Sequence, residues 1–479
     1  MSRLKEREET YFTTVRGMCR RCRQVAPARV FFRDDKVWQQ SLCTCSTHEP
    51  VKIAHSQQWY LAEVLRDRPD RSPLKGSHPS SEGCPHDCGP CNWHASPCQL
   101  PVLSITNACN LRCPICFTYN RADRIWHMPV DEMQRTVDWI VESSGRVDLI
   151  NLTGGEPTLH PELFKILEVC RREEIGRITM NSNGIRLAED YELCQRLAEL
   201  DVCVILSYNT FDPAVSSELH GRDLTEIKQR AVENLARAGV RTTLLQVLIR
   251  DRTEDALPGL FELMRRHDNI LSLTVQTMTY TGQGGGSFDR SQPIPIDEAA
   301  RIVAQRSGGM FATEDFFTRP SAHPLCYLIG YAMKVDNDLV PFTRFAPREQ
   351  VAELLQDSYL LRADNDRPSD FFTDAINELY AAGEDETLAT LRRLVDRLYP
   401  TDRTVTPTER QRIAESSVRT VYLHAHMDEE TFDCSRAMLC PDLVPAEPGR
   451  LIPACTYNLF YRMKDPRFFV DKDAEGGAQ

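Results

Sequence analysis

Three cysteines, Cys109, Cys113 and Cys116, stand in the run LSITNACNLRCPICF with three and then two residues between them. An iron–sulfur cubane is held by four thiolates, so a trio leaves one iron without a protein ligand and free to bind something else. The same distinction separates an open catalytic metal site from a closed structural one. Spacing alone decides little, because Cys84, Cys88 and Cys91 repeat it upstream. Context separates the two copies. The downstream trio follows an apolar run, residues 101–106, that reads as a buried strand. A second apolar run, residues 148–153, ends in Gly154-Gly155-Glu156-Pro157, and glycines without Cβ let the backbone approach a ligand closely.

The chain has 479 residues, enough for two or more domains, and 18 cysteines. Its first residues, MSRLKEREETYFTT, contain no apolar core of a secretory signal. Many cysteines without such a signal point to metal ligands in a reducing, cytoplasmic compartment and not to disulfides. No apolar stretch is long enough to span a membrane. A net charge of −12 argues against nucleic acid as the main partner, and Arg16, Arg20, Arg21 and Arg23 read as a solvated face.

From about 101 to 280, apolar strands alternate with helical periods, the pattern of a parallel α/β sheet. The predicted strands are 101–106, 148–153, 177–182, 202–207, 241–248 and 270–278. The amphipathic stretches between them are 131–142, 161–173, 189–200, 224–238 and 254–266. Such folds place chemistry at the carboxyl ends of their strands. There the cysteine trio, Gly154-Gly155-Glu156, Asn181-Ser182-Asn183-Gly184 and Ser207-Tyr208-Asn209 all fall. Cys170, Cys194 and Cys203 occupy apolar positions and read as small buried hydrophobes.

The other cysteines form three groups. Cys84, Cys88, Cys91 and Cys98 lie in a loop broken by Pro85, Gly89, Pro90 and Pro97. They suit a closed auxiliary [4Fe–4S] cluster better than zinc, although Cys98 could belong elsewhere. Cys19-x2-Cys22 and Cys43-x-Cys45 flank a stretch of strand character, residues 28–42. Two such knuckles suit one tetrahedral iron or zinc, which spacing does not distinguish. Cys326, Cys434, Cys440 and Cys455 are dispersed, and counting assigns them to a second auxiliary [4Fe–4S] cluster over the barrel mouth, with His323 a substitute for one of them.

The runs CNLRCPICF and Gly154-Gly155-Glu156-Pro157 together resemble the radical S-adenosylmethionine (SAM) superfamily. The resemblance implies a (β/α)6 partial TIM barrel and a [4Fe–4S] cluster on Cys109, Cys113 and Cys116 whose open iron chelates SAM. Reductive cleavage of SAM then yields a carbon radical. By the same resemblance Gly154, Gly155 and Glu156 meet the SAM amino group, and Asn183 and Ser207 its ribose or carboxylate. Phe117 and the backbone near Val247 would meet the adenine. Arg222 would reach the carboxylate or ribose edge, or else form a surface salt bridge.

The order of blocks, GCPHDCGPCNWHASPC, CNLRCPICF, residues 314–317, HPLC at 323–326, residues 341–345 and IPACTYN, resembles the family of archaeal tetraether lipid synthases and dihydropterin methyltransferases from about residue 11 to 465. The implied organisation is a rubredoxin- or zinc-ribbon-like metal domain at 11–60, an auxiliary-cluster loop at 80–100, the barrel at 101–300 and a C-terminal α+β cluster-binding cap at 301–479. The expected activity is radical functionalisation (alkylation, methylation or coupling) of an unactivated carbon in a small molecule. An electron donor such as flavodoxin or ferredoxin would feed it. The other readings are transfer of the 3-amino-3-carboxypropyl group of SAM to an acceptor such as arsenite, coupling of lipid tails, and a non-catalytic electron carrier. The charged stretch 358–402 disfavours a long acyl tunnel. The glycine-rich stretch 280–320 is expected to line or cover the pocket, and no corrinoid-binding segment precedes the barrel.

Overall fold

The computed structural model describes residues 8–66, 79–89, 91–335, 338–354, 359, 367–447 and 450–470. Part of the charged stretch 358–402 and both chain ends lie outside these residues.

The chain begins with an antiparallel sheet of β1 (Thr10–Met18), β2 (Val25–Arg33), β3 (Lys36–Ser41) and β4 (Val51–Ala54), in that order. Val30, Phe32 and Val37 alternate onto its buried face. Asp34 and Asp35 join β2 to β3 with φ of 51° and 56°, the left-handed geometry that a tight hairpin requires. Antiparallel order puts the β1–β2 and β3–β4 turns at the same end, and those turns carry the two cysteine knuckles.

The next strands are β5 (Leu100–Thr106), β6 (Ile150–Gly154), β7 (Ile178–Ser182), β8 (Cys203–Ser207), β9 (Thr242–Leu248) and β10 (Ile270–Thr277). They are parallel neighbours in sequential order, and all six fall where the sequence predicts strands. Amphipathic helices cover their outer face. Met133, Val137 and Ile140 of helix Val130–Ser144 are fully buried there, as are Ile166, Leu167 and Cys170 of helix Leu163–Cys170. Each such side chain contributes about 1.5–3 kcal/mol on leaving water. The predicted helix 189–200 is interrupted at Asp190, whose carboxylate accepts from Leu193 N at 3.0 Å and caps helix Tyr191–Glu199.

Later strands extend this sheet. They are β11 (Phe316–Thr318), β12 (Tyr327–Val335), β13 (Asp338–Pro341), β14 (Val418–His424), β15 (Asp442–Glu447) and β16 (Arg450–Pro453). Strand β14 lies parallel to β10, β12 runs antiparallel to β14, and β15 joins β5. The region after residue 300 therefore shares one sheet with the six predicted strands and supplies a seventh parallel strand. Side chains bridge the two flanks: the hydroxyl of Tyr327 on β12 and that of Tyr359 both donate to Asp442 on β15.

Outward side chains such as Leu152, Met180, Val204, Leu206, Leu244 and Val421 are buried under the helices. Their inward neighbours keep accessible surface: Asn151, Thr153, Asn181, Ser207, Thr274 and Tyr422. Val102, Ile205 and Leu245 on the same face are also half-buried, so the inward face mixes polar and apolar groups.

Candidate metal and cofactor site

The loop after β5 is held from several sides. Gly155 N donates to Thr106 O at 2.8 Å, and Glu156 N to Ala108 O at 2.7 Å. A Cβ on Gly154, whose φ is 139°, would stand 2.1 Å from Thr106 O, and one on Gly155 would stand 2.1 Å from Ala108 O. The glycines are needed here because the end of β6 presses against the backbone that leads into Cys109. From the other side come Gly284 N and Gly285 N, which donate to Cys116 O at 3.1 and 3.0 Å. A Cβ on Gly284 would lie 2.4 Å from Pro114 O. The glycine-rich segment was expected to line or cover a pocket; its glycines clamp the cysteine loop.

Cys109 is exposed, and Cys113 and Cys116 are half-buried. Desolvation pushes the Cys109 thiol up to about 11 and Cys113 up to about 12, and the negative charge of neighbouring thiolates pushes the same way. Glu156 adds to this at Cys109. Burial also pulls Lys228 down to about 8, against the attraction of Cys113 and Glu156. Its ammonium donates to Asn183 O at 2.6 Å. Three thiols gathered with so little compensating charge are a donor set that suits the cationic iron of a cluster.

Glu156 is 1% exposed and braces the ends of β6 and β7. Its carboxylate accepts from Asn183 N at 2.7 Å, Thr158 Oγ1 at 2.7 Å and Ser182 Oγ at 3.0 Å, while burial holds its carboxyl above the usual range. Asn183 Nδ2 donates to Asn110 Oδ1 at 2.7 Å, which ties β7 to the cysteine loop. Ser207 ends β8 and is half-buried. Val247 N is taken by Asn209 Oδ1 at 2.8 Å, and Val247 O by Thr253 Oγ1 at 2.8 Å, so this backbone is already satisfied. Arg222 is exposed after helix Pro213–His220. One face of the Phe117 ring is covered by His426, with centroids 4.8 Å apart and planes at 24°.

The auxiliary cysteines group differently from the sequence expectation. Cys88 and Cys91 lie within electrostatic reach of Cys84. The fourth thiol beside Cys84 is that of Cys434, whose Sγ lies 3.3 Å from Cys84 O; the neighbouring Cys84 thiol and burial push the Cys434 thiol up. Cys98 stands apart, against Leu443, Leu451 and Trp139, where burial and Asp442 push its thiol up. Sequence counting places Cys434 with Cys326, Cys440 and Cys455; the fold brings together only the last three, whose charges act on one another. The reason is local: helix Cys434–Met438 packs on β1, where Met18, Cys84 and Phe432 share one apolar cluster with Cys434. His323 is buried and its Nδ1 accepts from Leu325 N at 3.2 Å.

In the N-terminal turns, Cys19, Cys43, Cys45 and His48 have donor atoms all within 4.8 Å of one another. Cys22 Sγ lies 3.8 Å from Cys43 Sγ but outside that set. His48 is a donor the sequence reading missed, and its signal was the spacing Cys45-x2-His48. Lys228 and His426 gave no such signal, since helix Thr225–Ala238 and the residues after β14 reach the site only through the fold.

A family profile described as the Radical SAM superfamily matches residues 103–264, the span that holds the cysteine trio and Gly154–Glu156. The chain carries a radical SAM domain over those residues. Such a domain implies a [4Fe–4S] cluster and SAM. The chain is 24% identical to the 7,8-dihydro-6-hydroxymethylpterin dimethyltransferase of Methanocaldococcus jannaschii over 94% of each chain, and is an enzyme of transferase type. It is 29% identical to a probable GTP 3',8-cyclase of Thermoplasma volcanium, over 43% of this chain and 64% of that one. Among solved structures, SuiB of Streptococcus suis bound to S-adenosylmethionine covers 43% of each chain at 17% identity and a TM-score of 0.35. Methylornithine synthase covers 43% of this chain and 62% of its own at 15% identity and a TM-score of 0.34. Among the described residues no helix is long and apolar enough to cross a membrane.

Proposed function

We propose that this enzyme uses a SAM-derived radical to methylate or otherwise alkylate an unactivated carbon of a small polar heterocycle, with a reduced pterin the first substrate to test. The observation that carries the reading is likeness over 94% of both chains to a pterin dimethyltransferase. The polar groups on the inward face, Asn151, Asn181 and Ser207 among them, agree with it.

Cys109, Cys113 and Cys116 would hold the radical SAM cluster, which when bound supplies the electron that cleaves the sulfonium. Gly154 and Gly155 let the end of β6 lie close to that loop, Glu156 fixes the β7 end beside it, and Asn183 and Ser207 offer polar groups to the SAM ribose or carboxylate. Cys84, Cys88, Cys91 and Cys434 suit a closed auxiliary cluster, and Cys326, Cys440 and Cys455 a second one. Cys19, Cys43, Cys45 and His48 suit one zinc or iron in a zinc-ribbon-like sheet. A flavodoxin or ferredoxin of a reducing cytoplasm would serve as electron donor.

Anaerobically reconstituted protein, incubated with dithionite, excess SAM and 7,8-dihydro-6-hydroxymethylpterin, should give 5′-deoxyadenosine and methionine from one SAM. A second SAM, whose methyl passes to the pterin, should give S-adenosylhomocysteine. Dithionite supplies both electrons, and the heavier pterin is read by mass spectrometry. Methylthioadenosine as the nucleoside product would overturn the reading in favour of aminocarboxypropyl transfer. An unmodified pterin alongside 5′-deoxyadenosine would keep the radical chemistry and reject the substrate.

A further inference from the structure

Arg23 does not lie on the solvated face where the sequence places it. It follows Cys22 at the end of the first metal turn, where its N donates to Cys19 O at 2.8 Å and Cys19 N donates to Gln24 O at 2.9 Å. Its φ is 56°, in the left-handed region that glycine enters at no steric cost. An arginine stands there instead, with its guanidinium turned inward. Nη1 donates to Glu429 Oε1 at 2.9 Å and Nη2 to Leu459 O at 3.5 Å, and the group lies 5.3 Å from the centre of the Tyr119 ring.

Glu429 is 3% exposed. The oxygen that takes Arg23 also accepts Thr281 Oγ1 at 2.8 Å and the Tyr119 hydroxyl at 3.2 Å. Its other oxygen has no hydrogen bond among the described residues; Arg290 stands 3.7 Å from it and pairs with Glu430 at 3.1 Å. Tyr119 and Thr281 belong to the two supports of the cysteine loop. Tyr119 N donates to Asn458 Oδ1 at 3.3 Å, and Asn458 Nδ2 donates to Phe117 O at 2.9 Å. Thr281 opens the glycine-rich segment, in which a Cβ on Gly282 would stand 2.1 Å from Phe117 O. One buried carboxylate therefore joins the first metal turn to both supports of the loop that carries Cys116 and Phe117. Removing one partner of a buried ion pair leaves the other charge uncompensated, so Glu429 depends on Arg23 to stay beside Tyr119 and Thr281.

Resting on the reading that Cys19, Cys43, Cys45 and His48 hold one metal ion, we propose that Arg23 is a positioning residue that couples this ion to SAM binding. The ion fixes the turn that aims Arg23, Arg23 fixes Glu429, and Glu429 holds Tyr119 and Thr281 against the cysteine loop. Metal lost from the N-terminal sheet is then felt at the SAM site without any contact between the two.

The test is SAM affinity in the full reconstituted chain. It is read from the change that SAM causes in the electron paramagnetic resonance spectrum of the reduced cluster, with iron and zinc measured on each sample. Arg23→Gln should weaken SAM binding about tenfold, within the usual span of coupling between two sites, and leave the metal content unchanged. Arg23→Gly should do the same, although glycine suits the backbone of this turn better. Parent affinity in both variants overturns the proposal. Cys43→Ser should lose the N-terminal ion and weaken SAM binding to a similar degree, and the double variant Cys43→Ser, Arg23→Gln should be no weaker than either single one. Losses that multiply in the double variant overturn the coupling. So does a Cys43→Ser chain that lacks the ion and binds SAM as the parent does, a result that leaves the metal reading standing. If Cys43→Ser keeps its full metal, no ion resides in these turns and the underlying reading falls as well.

Discussion

The Sγ of Cys434 lies 3.3 Å from the carbonyl oxygen of Cys84, across 350 residues of chain. That contact moves one thiol from the group in which sequence order places it to another, and it leaves Cys326, Cys440 and Cys455 as a set of three.

Cys434→Ser and Cys88→Ser should therefore each lose the same cluster, roughly four irons per chain. The double variant should lose no more than either single one, while Cys98→Ser should keep its full iron. Iron analysis with electron paramagnetic resonance decides this. Loss of iron in Cys98→Ser with retention in Cys434→Ser would restore the grouping by sequence order.

Gly284→Ala should disturb the radical SAM cluster from a distance. The added methyl would stand 2.4 Å from Pro114 O, and relieving such a backbone overlap costs about 1–3 kcal/mol. We expect a lower melting temperature and SAM cleavage reduced at least about tenfold, with auxiliary-cluster signals intact. Cleavage at the parent rate would show that the clamp is dispensable. Gly286→Ala is the control, because its Cβ meets nothing nearer than Arg290 at 3.9 Å.

Lys228 gives a pH signature in the metal-free protein. Burial pulls its pKa from 10.5 to about 8, so between those values the unfolded chain binds more protons at this group and its contribution to stability rises with pH. Lys228→Met removes that slope. The metal-free variant should be more stable than the metal-free parent near pH 7, and the difference should close as pH rises towards about 10.5. Urea titrations of both proteins across that range measure it; a difference that does not vary with pH would refute the burial argument.

At the N-terminal turns, His48→Ala should cost about one metal ion per chain, and Cys22→Ser should retain it, because His48 and not Cys22 lies in the tight donor set. Metal analysis after dialysis against a weak chelator tests this. The opposite pattern would identify a four-thiol site.

The six parallel strands, the helices on their outer face and the trio at the end of β5 were legible from the chain alone. Apolar periodicity follows directly from one face meeting a core, and Cys109, Cys113 and Cys116 lie within one short loop. The knuckles were legible for the same reason, since each pair spans a single turn; His48 was readable there too and was overlooked. What the sequence could not carry were contacts whose partners are distant along the chain. Nothing local marks β14 as the seventh parallel strand, Cys434 as the neighbour of Cys84, or His426 as the ring between Phe117 and Cys455. Those pairings were decided by which helices and strands pack against one another, where the burial of Met18, Phe432 and their neighbours outweighs order along the chain. Local spacing determined the kind of chemistry; tertiary packing decided which thiols stand together.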